Sequence, residues 1–246
     1  RSFWAFYTAF PLHHRPYITA VFSQFCKDRF KIYLSVTWRA VTSCSVLPIA
    51  IASKSASFSI RFKLSFIQIN ISTNLLQLYL EEQSVYSALL PALDFMRIDQ
   101  QGEPDMWYVK SNLERMLKEN PDVDLFVTQG YICRNHFGDI DNLKRGGSDY
   151  TASIIGAAIK VDEVQIWTDI DGMHNNDPRV VKQTKPISRL TFDEAAELAY
   201  FGAKILHPTS IVPARQASIP VILKNTLKPD LPGTIISNEP SGDFIK

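Results

Sequence analysis

From Ser72 onward, apolar positions recur either at helical spacing or as short unbroken runs, which predicts alternating helices and strands. Leu75, Leu78 and Tyr79 keep helical spacing through Glu82, behind Ser72 or Thr73 as the cap. Residues 85–90 are a short apolar run that predicts a strand, and residues 99–104 a loop. Asp105 is placed to cap a helix whose Val109, Leu113, Met116 and Leu117 form one stripe, stopped by Asn120-Pro121. Residues 123–127 predict the next strand, running into Thr128-Gln129-Gly130-Tyr131. A helix rich in Ala and Ile is predicted over 151–160, and a buried strand over 164–167. Residues 187–190 lead into a helix from about Thr191, with Asp193 and Glu194 in its first turn, where carboxylates favour the helix dipole. Its Phe192, Ala195, Ala196 and Ala199 form a face for the sheet, and Gly202 ends it. Residues 220–224 predict a final strand, residues 233–236 an extended piece, and residues 238–246 a polar linker. No internal repeat is present.

Composition divides the chain. Residues 1–71 have no clean periodicity and no glycine, and carry nine Lys or Arg against one acidic residue, Asp28, a net charge of +8. The remainder carries 17 basic and 24 acidic residues, a net −7. Half of the 28 aromatic residues also lie in that first stretch. Three readings compete for it. Arg and Ser with almost no acid resemble a mitochondrial or plastid transit peptide. A basic aromatic stretch also suits nucleic acid, but these residues form neither a stripe nor a recognisable module. The third reading is a segment that did not evolve with this fold, an out-of-frame or misassembled stretch. The 246 residues leave room for one large α/β domain or two small ones. Cys26, Cys44 and Cys133 show no Cys-x-x-Cys spacing, which suggests free thiols in a reducing compartment, and a cytoplasmic location is expected. No apolar run reaches the roughly 18–20 residues that span a bilayer. Neither a membrane nor a nucleic-acid partner is expected.

Candidate chemistry concentrates between residues 145 and 179. Arg145, Gly146, Gly147, Ser148 and Asp149 put two glycines directly before a predicted helix. Paired glycines let the backbone turn tightly and come close to a ligand. Ser148 or Asp149 then caps the helix, leaving free N–H groups aimed at an anion in front. Arg145 adds a planar fork that suits carboxylate or phosphate. An ordinary Ser-capped turn has the same residues, so the sequel decides. The strand 164–167 ends in Thr168-Asp169-Ile170-Asp171-Gly172, a polar loop at a strand's carboxyl end, where open α/β sheets bind ligands. Asp177, Pro178 and Arg179 follow. Together these suit a nucleotide phosphate and a small acidic substrate. A calcium loop on Asp169, Asp171 and Asp177 lacks the later Glu of an EF-hand, and no protein-held metal is expected.

Four motifs stand in one order: Arg-Gly-Gly-Ser-Asp-Tyr-Thr-Ala from Arg145, Trp-Thr-Asp-Ile-Asp-Gly from Trp167, Asp-Pro-Arg from Asp177, and Phe-Gly-Ala-Lys-Ile-Leu-His-Pro from Phe201. In these the chain resembles the aspartate kinases of the amino-acid kinase superfamily, over about residues 71–237. The resemblance implies a three-layer α/β/α sandwich with a mostly parallel open sheet, here lacking its first strands. It implies transfer of a phosphoryl group from ATP, carried with Mg²⁺, to L-aspartate, giving 4-phospho-L-aspartate, the first step towards lysine, threonine and methionine. By resemblance Arg145, Gly146, Gly147 and Ser148 bind the α-carboxylate of aspartate, and Asp149 organises the catalytic lysine. Thr168, Asp169, His174, Arg179, Lys204 and Ile205 match nucleotide-contacting positions, with His174 where some relatives have Tyr. The turn at Gly130 is implied to lie beside the substrate pocket, and His207 is read as a structural cap. Kinases of glutamate, acetylglutamate or UMP fit less well, because Arg-Gly-Gly-Ser-Asp belongs to the aspartate branch. The full-length protein is expected to form a homo-oligomer.

The chain also departs from that family. Aspartate kinases open with Lys-Phe-Gly-Gly-Thr-Ser, which bridges the transferring phosphate, and here no glycine precedes Gly102. The family's Gly-Glu, which grips the substrate amine, aligns with Gln68 and Ile69. The regulatory ACT domains expected after the kinase domain are absent. The domain reading is therefore an unassigned segment 1–71, a partial kinase domain 72–237 and a tail 238–246. The abrupt junction favours the misassembled reading of residues 1–71, and an impaired catalyst. The alternative is a dead fragment that only binds nucleotide or aspartate.

Overall fold

From Ser87 onward the predicted apolar runs become strands and the predicted amphipathic stretches helices, with bounds set by local hydrogen bonding. The computed structural model describes residues 20–26, 29–35, 54–144, 146–176, 180–181, 183–201 and 206–239. Strands β1 (Ala20–Cys26) and β2 (Arg29–Ser35) come first, followed by helix α1 (Lys54–Glu82), β3 (Ser87–Leu90) and the single turn α2 (Ala92–Phe95). Helix α3 (Met106–Lys118), β4 (Leu125–Thr128), β5 (Ile132–Arg134) and β6 (Ile140–Asn142) lead to α4 (Gly147–Ile159) and β7 (Glu163–Thr168). Then come β8 (Arg189–Thr191), α5 (Phe192–Phe201), a 3-10 turn (Pro208–Ile211), α6 (Val212–Gln216), β9 (Val221–Asn225) and β10 (Thr234–Ser237).

Eight strands hydrogen-bond in the order β3-β4-β1-β2-β7-β9-β10-β8, while β5 and β6 form a separate hairpin. The β3–β4, β2–β7, β7–β9 and β8–β10 pairs are parallel, and β4–β1, β1–β2 and β9–β10 antiparallel. Strands β3, β4, β2, β7 and β9 therefore all point one way. Their carboxyl ends share one edge of the sheet, which places the site.

Helices cover both faces. Gln77 of α1 donates to the Ser87 carbonyl at 2.9 Å, which puts α1 on one side of β3. Side chains alternate along a strand, so Leu90 faces the other way, with Phe126 towards Leu113 and Leu117 of α3 and Ile155 and Ile159 of α4. The three layers are an α/β/α sandwich with a mixed, open sheet. Its core holds fully buried Phe95, Ile154, Ile166 and Leu223.

Asp105 caps α3 as expected, accepting from Tyr108 N at 3.0 Å, and Val109, Leu113 and Met116 are buried beneath it. Thr191 and Glu194 form a reciprocal box at the start of α5, with bonds of 2.7 and 3.1 Å. The structure corrects four readings. Helix α1 begins at Lys54, not at Ser72 or Thr73, because Thr73 Oγ1 turns back to the Ile69 carbonyl at 3.0 Å, the mid-helix alternative to capping. The strand over 85–90 begins only at Ser87. Helix α4 begins at Gly147 rather than 151, so Ser148 and Asp149 lie in its first turn, and Gly146 is the N-cap. The sheet is not short of central strands: residues read as aperiodic supply β1 and β2 between β4 and β7.

Gly233, which leads into β10, has φ +72, and a Cβ there would lie 1.9 Å from the Leu223 carbonyl oxygen. Both the backbone geometry and the space demand glycine. Gly233→Ala is expected to lower unfolding free energy by roughly 3 kcal/mol in a urea titration. A loss below about 0.5 kcal/mol would show that β9 and β10 separate easily.

Candidate active site

The parallel run of β4, β7 and β9 carries three loops to one edge: Gln129–Tyr131, Thr168–Asp171 and Asn225–Lys228. Helix α4 packs over β2 and β7 and feeds β7 from behind, so its first turn returns to that edge. Two glycines let it dock. A Cβ on Gly130 would lie 3.2 Å from Ser148 Cα, and one on Gly147 would meet the Tyr131 ring at 2.2 Å. Thr151 Oγ1 locks the joint by accepting from Tyr131 N at 3.0 Å and donating to the Gly147 carbonyl at 2.7 Å. Tyr131 itself is held at φ +74, where a side chain is strained.

No side chain caps α4. The expected capping by Ser148 or Asp149 is thus replaced by an open amino end, since both lie inside the first turn. Its leading N–H groups have no intrahelical acceptor and suit an anion. Asp149 has an Oδ1 sealed from solvent, without a hydrogen-bond partner among the described residues. Burial pushes this carboxyl up to about 7. Alongside, Tyr150 donates to Glu103 at 3.3 Å, tying the 99–104 loop to α4. Burial first, then the Glu103 charge, pushes the Tyr150 phenol up to about 12.

The second loop is built differently. Thr168 Oγ1 accepts from Ile170 N at 2.9 Å, and the Thr168 carbonyl accepts from Thr226 N at 2.8 Å. Asp169 is exposed at the loop's tip. Asp171 is engaged by Asn225 Nδ2, and by Lys228 Nζ at 3.3 Å. The Asn225 hydrogen bond, against a smaller cost of burial and with help from Lys228 and His174, holds this carboxyl below the usual carboxylate range. Buried His174 bonds Thr184 Oγ1 through Nδ1 at 2.9 Å, and its Nε2 has no partner among the described residues.

The fourth motif also arrives here. A Cβ on Gly146 would lie 3.0 Å from Ser210 Cβ and 3.2 Å from His207 Cβ. His207 holds the N-cap position of the 3-10 turn, although its ring bonds Thr209 Oγ1 at 2.6 Å rather than a backbone N–H. Among the described residues no group of three or more His, Cys, Asp or Glu converges as a metal site, and no helix is long and apolar enough to cross a membrane.

The amino acid kinase family model matches residues 51–225. The chain belongs to the amino acid kinase family. The match begins some way before Ile71, so it includes all of α1. Lysine-sensitive aspartokinase 3 of Escherichia coli is 37% identical over 172 residues, 69% of this chain and 38% of that protein. Chloroplastic aspartokinase 1 of Arabidopsis thaliana is 54% identical over 100 residues, 41% of this chain and 18% of that protein. The crystal structure of E. coli aspartokinase III in complex with aspartate and ADP superposes with a TM-score of 0.62 at 37% identity, covering 66% of this chain and 37% of that one. The chain thus spans well under half the length of these relatives.

Of the family site residues inferred from sequence, Gly146, Gly147, Ser148 and Asp149 cluster at the start of α4, and Thr168, Asp169 and His174 lie on or after the β7 loop. Arg145, Arg179, Lys204 and Ile205, with Asp177, lie outside the described residues. Sequence reasoning missed Asn225, Lys228 and Glu103. Asn225 had a signal, a polar residue closing an apolar run at a strand's carboxyl end.

The Asp149 carboxyl ionises near 4 in an unfolded chain. Between about 4 and 7 the native state keeps a proton that the unfolded state has lost, so stability falls as pH rises through that window. The loss attributable to this group is at most about 4 kcal/mol. Urea midpoints at several pH values should show Asp149→Asn gaining on the parent steadily from pH 4 to 7. Parallel curves for the two proteins would refute the buried, unpaired carboxyl.

Proposed function

We propose that this chain carries the aspartate and nucleotide half-sites of an aspartate kinase. The observation that supports it best is the docking of Ser148, in the first turn of α4, against the Gly130 turn, on the same sheet edge as Thr168 and Asp169. Phosphorylating a carboxylate needs no covalent enzyme intermediate, only alignment of acceptor and γ-phosphate plus cations for the developing charge. Arg145, Ser148 and the open first turn of α4 hold the α-carboxylate of L-aspartate. Asp149 organises a lysine that bridges the transferring phosphate. Thr168, Asp169, His174, Arg179, Lys204 and Ile205 hold ATP, which brings its own Mg²⁺. The product is 4-phospho-L-aspartate, the entry to lysine, threonine and methionine synthesis, made by a homo-oligomer of the complete protein. The E. coli relative's structure is described as a complex with aspartate and ADP, which supports both ligands here. Sparse thiols favour a reducing compartment. That is the cytoplasm on the sequence reading, or a plastid if the chloroplastic relative is the better guide.

A second reading, binding without turnover, is favoured by one observation. No Lys-Phe-Gly-Gly-Thr-Ser exists in the sequence, and the described part of residues 1–71 contributes strands and a helix but no glycine-rich phosphate cradle. Losing such contacts costs roughly 2–4 kcal/mol of barrier each. In a hydroxamate assay for acyl phosphate, a chimera with a family-type amino-terminal segment ahead of Ser72 should exceed this chain at least about a hundredfold. Equal inactivity of both would overturn the kinase reading. Full activity of the chain as it stands would show that a residue within 1–71, such as Lys54 or Lys63, replaces the lost lysine.

A further inference from the structure

We propose that Asn225 is a positioning residue for nucleotide binding, acting through Asp171 to set the loop that presents Thr168 and Asp169. This rests on the nucleotide site proposed above and adds to it a residue outside the four motifs. Asn225 is the last residue of β9 and stands in parallel register with Thr168, the last residue of β7. It is 3% exposed and engaged at both ends of its amide: Nδ2 donates to Asp171, and Oδ1 accepts from Leu227 N at 2.8 Å. The β7 loop is thereby pinned at two points. Its start is held where the Thr168 carbonyl accepts from Thr226 N at 2.8 Å, and its far side where Asn225 and Lys228 take the Asp171 carboxylate. Asp169 stands exposed between the pins.

The arrangement also solves an electrostatic problem. Asp169 and Asp171 give the loop two carboxylates, which repel a polyphosphate unless one is neutralised. The groups facing Asp171 are the Asn225 amide, the Lys228 ammonium and the His174 ring, all donors or cations. They absorb its charge and leave exposed Asp169 for the ligand. A loop held only for packing would not need its carboxylate paired in this way.

The test is calorimetric titration of the whole chain with Mg-ATP, comparing wild type with Asn225→Asp, Asp171→Ala and the exchanged pair Asp171→Asn with Asn225→Asp. Asn225→Asp is nearly isosteric but sets carboxylate against carboxylate, so affinity at pH 7 should fall at least about tenfold. The loss should shrink below about pH 5, as the pair takes up a proton. Asp171→Ala should lose a similar factor, and the exchanged pair, whose amide and carboxylate have traded places, should recover to within about threefold of wild type. If Asn225→Asp does not fold, Asp171→Ala and the exchanged pair decide the same question. Wild-type affinity in Asn225→Asp and Asp171→Ala would sink this inference and leave the nucleotide site standing. An exchanged pair as weak as Asn225→Asp would show general loosening and also overturn it. No binding by wild type at millimolar Mg-ATP would remove the nucleotide reading, and this inference with it.

Discussion

The site depends on two backbones coming closer than any side chain allows. Where the Gly130 turn meets the first turn of α4, added Cβ atoms would lie 3.2 Å from Ser148 Cα and 2.2 Å from the Tyr131 ring. That contact brings an open helix end to the carboxyl edge of the sheet, where β7 and β9 deliver their loops. One residue after Ser148, burial raises the Asp149 carboxyl, whose Oδ1 has no donor among the described residues. The strained φ of Tyr131 belongs to the same joint, and Thr151 holds it by bonding both sides. Strain concentrated where two elements must meet is common at functional edges.

Two aspartates on this edge show how surroundings separate like groups. Burial drives Asp149, whose Oδ1 has no partner among the described residues, up to about 7, whereas Asp171 has three favourable neighbours and is held low. The difference follows from what each faces. A carboxyl near 7 is poised to gain its charge when a cation arrives, which suits a group that organises a lysine. A carboxylate that is already paired is a fixed anchor. One is thus free to change its charge, the other fixed as an anchor for its loop.

Much of this was legible in the residues, for reasons that can be named. Asp105, the Val109–Leu113–Met116 stripe and the acidic first turn of the helix that starts near Thr191 are local devices, and local devices survive in a one-dimensional reading. The four motifs were legible because they are contiguous. Asn225 and Lys228 were not, since their meaning depends on β9 lying beside β7, a pairing of residues more than fifty apart. The start of α1 was misread because the Thr73 hydroxyl serves equally as an N-cap or as a back-bond to the Ile69 carbonyl. In the first segment, Phe30, Ile32 and Leu34 do alternate with Lys31, Tyr33 and Ser35, but dense aromatic residues on either side hid that period.

How β1 and β2 enter the sheet limits what the first segment can contribute to catalysis. A hairpin supplies one strand in each direction, so only one of its strands can run with β4 and β7. That strand is β2, and β1 runs against both of its neighbours. Arg29 and Lys31 therefore lie at the amino end of β2, on the edge away from the site, while Ser35 pairs with Trp167, one residue before Thr168. The chain leaves β2 on the site edge and is next described at Lys54, the start of α1. Helix α1 then leads through Glu82 into the amino end of β3, so its first residues, not its last, lie towards the carboxyl edge. Strand direction alone therefore excludes Arg29 and Lys31 as a source of positive charge at this edge, whereas Ala20, which pairs with Ser35 across the hairpin, starts β1 on the site edge.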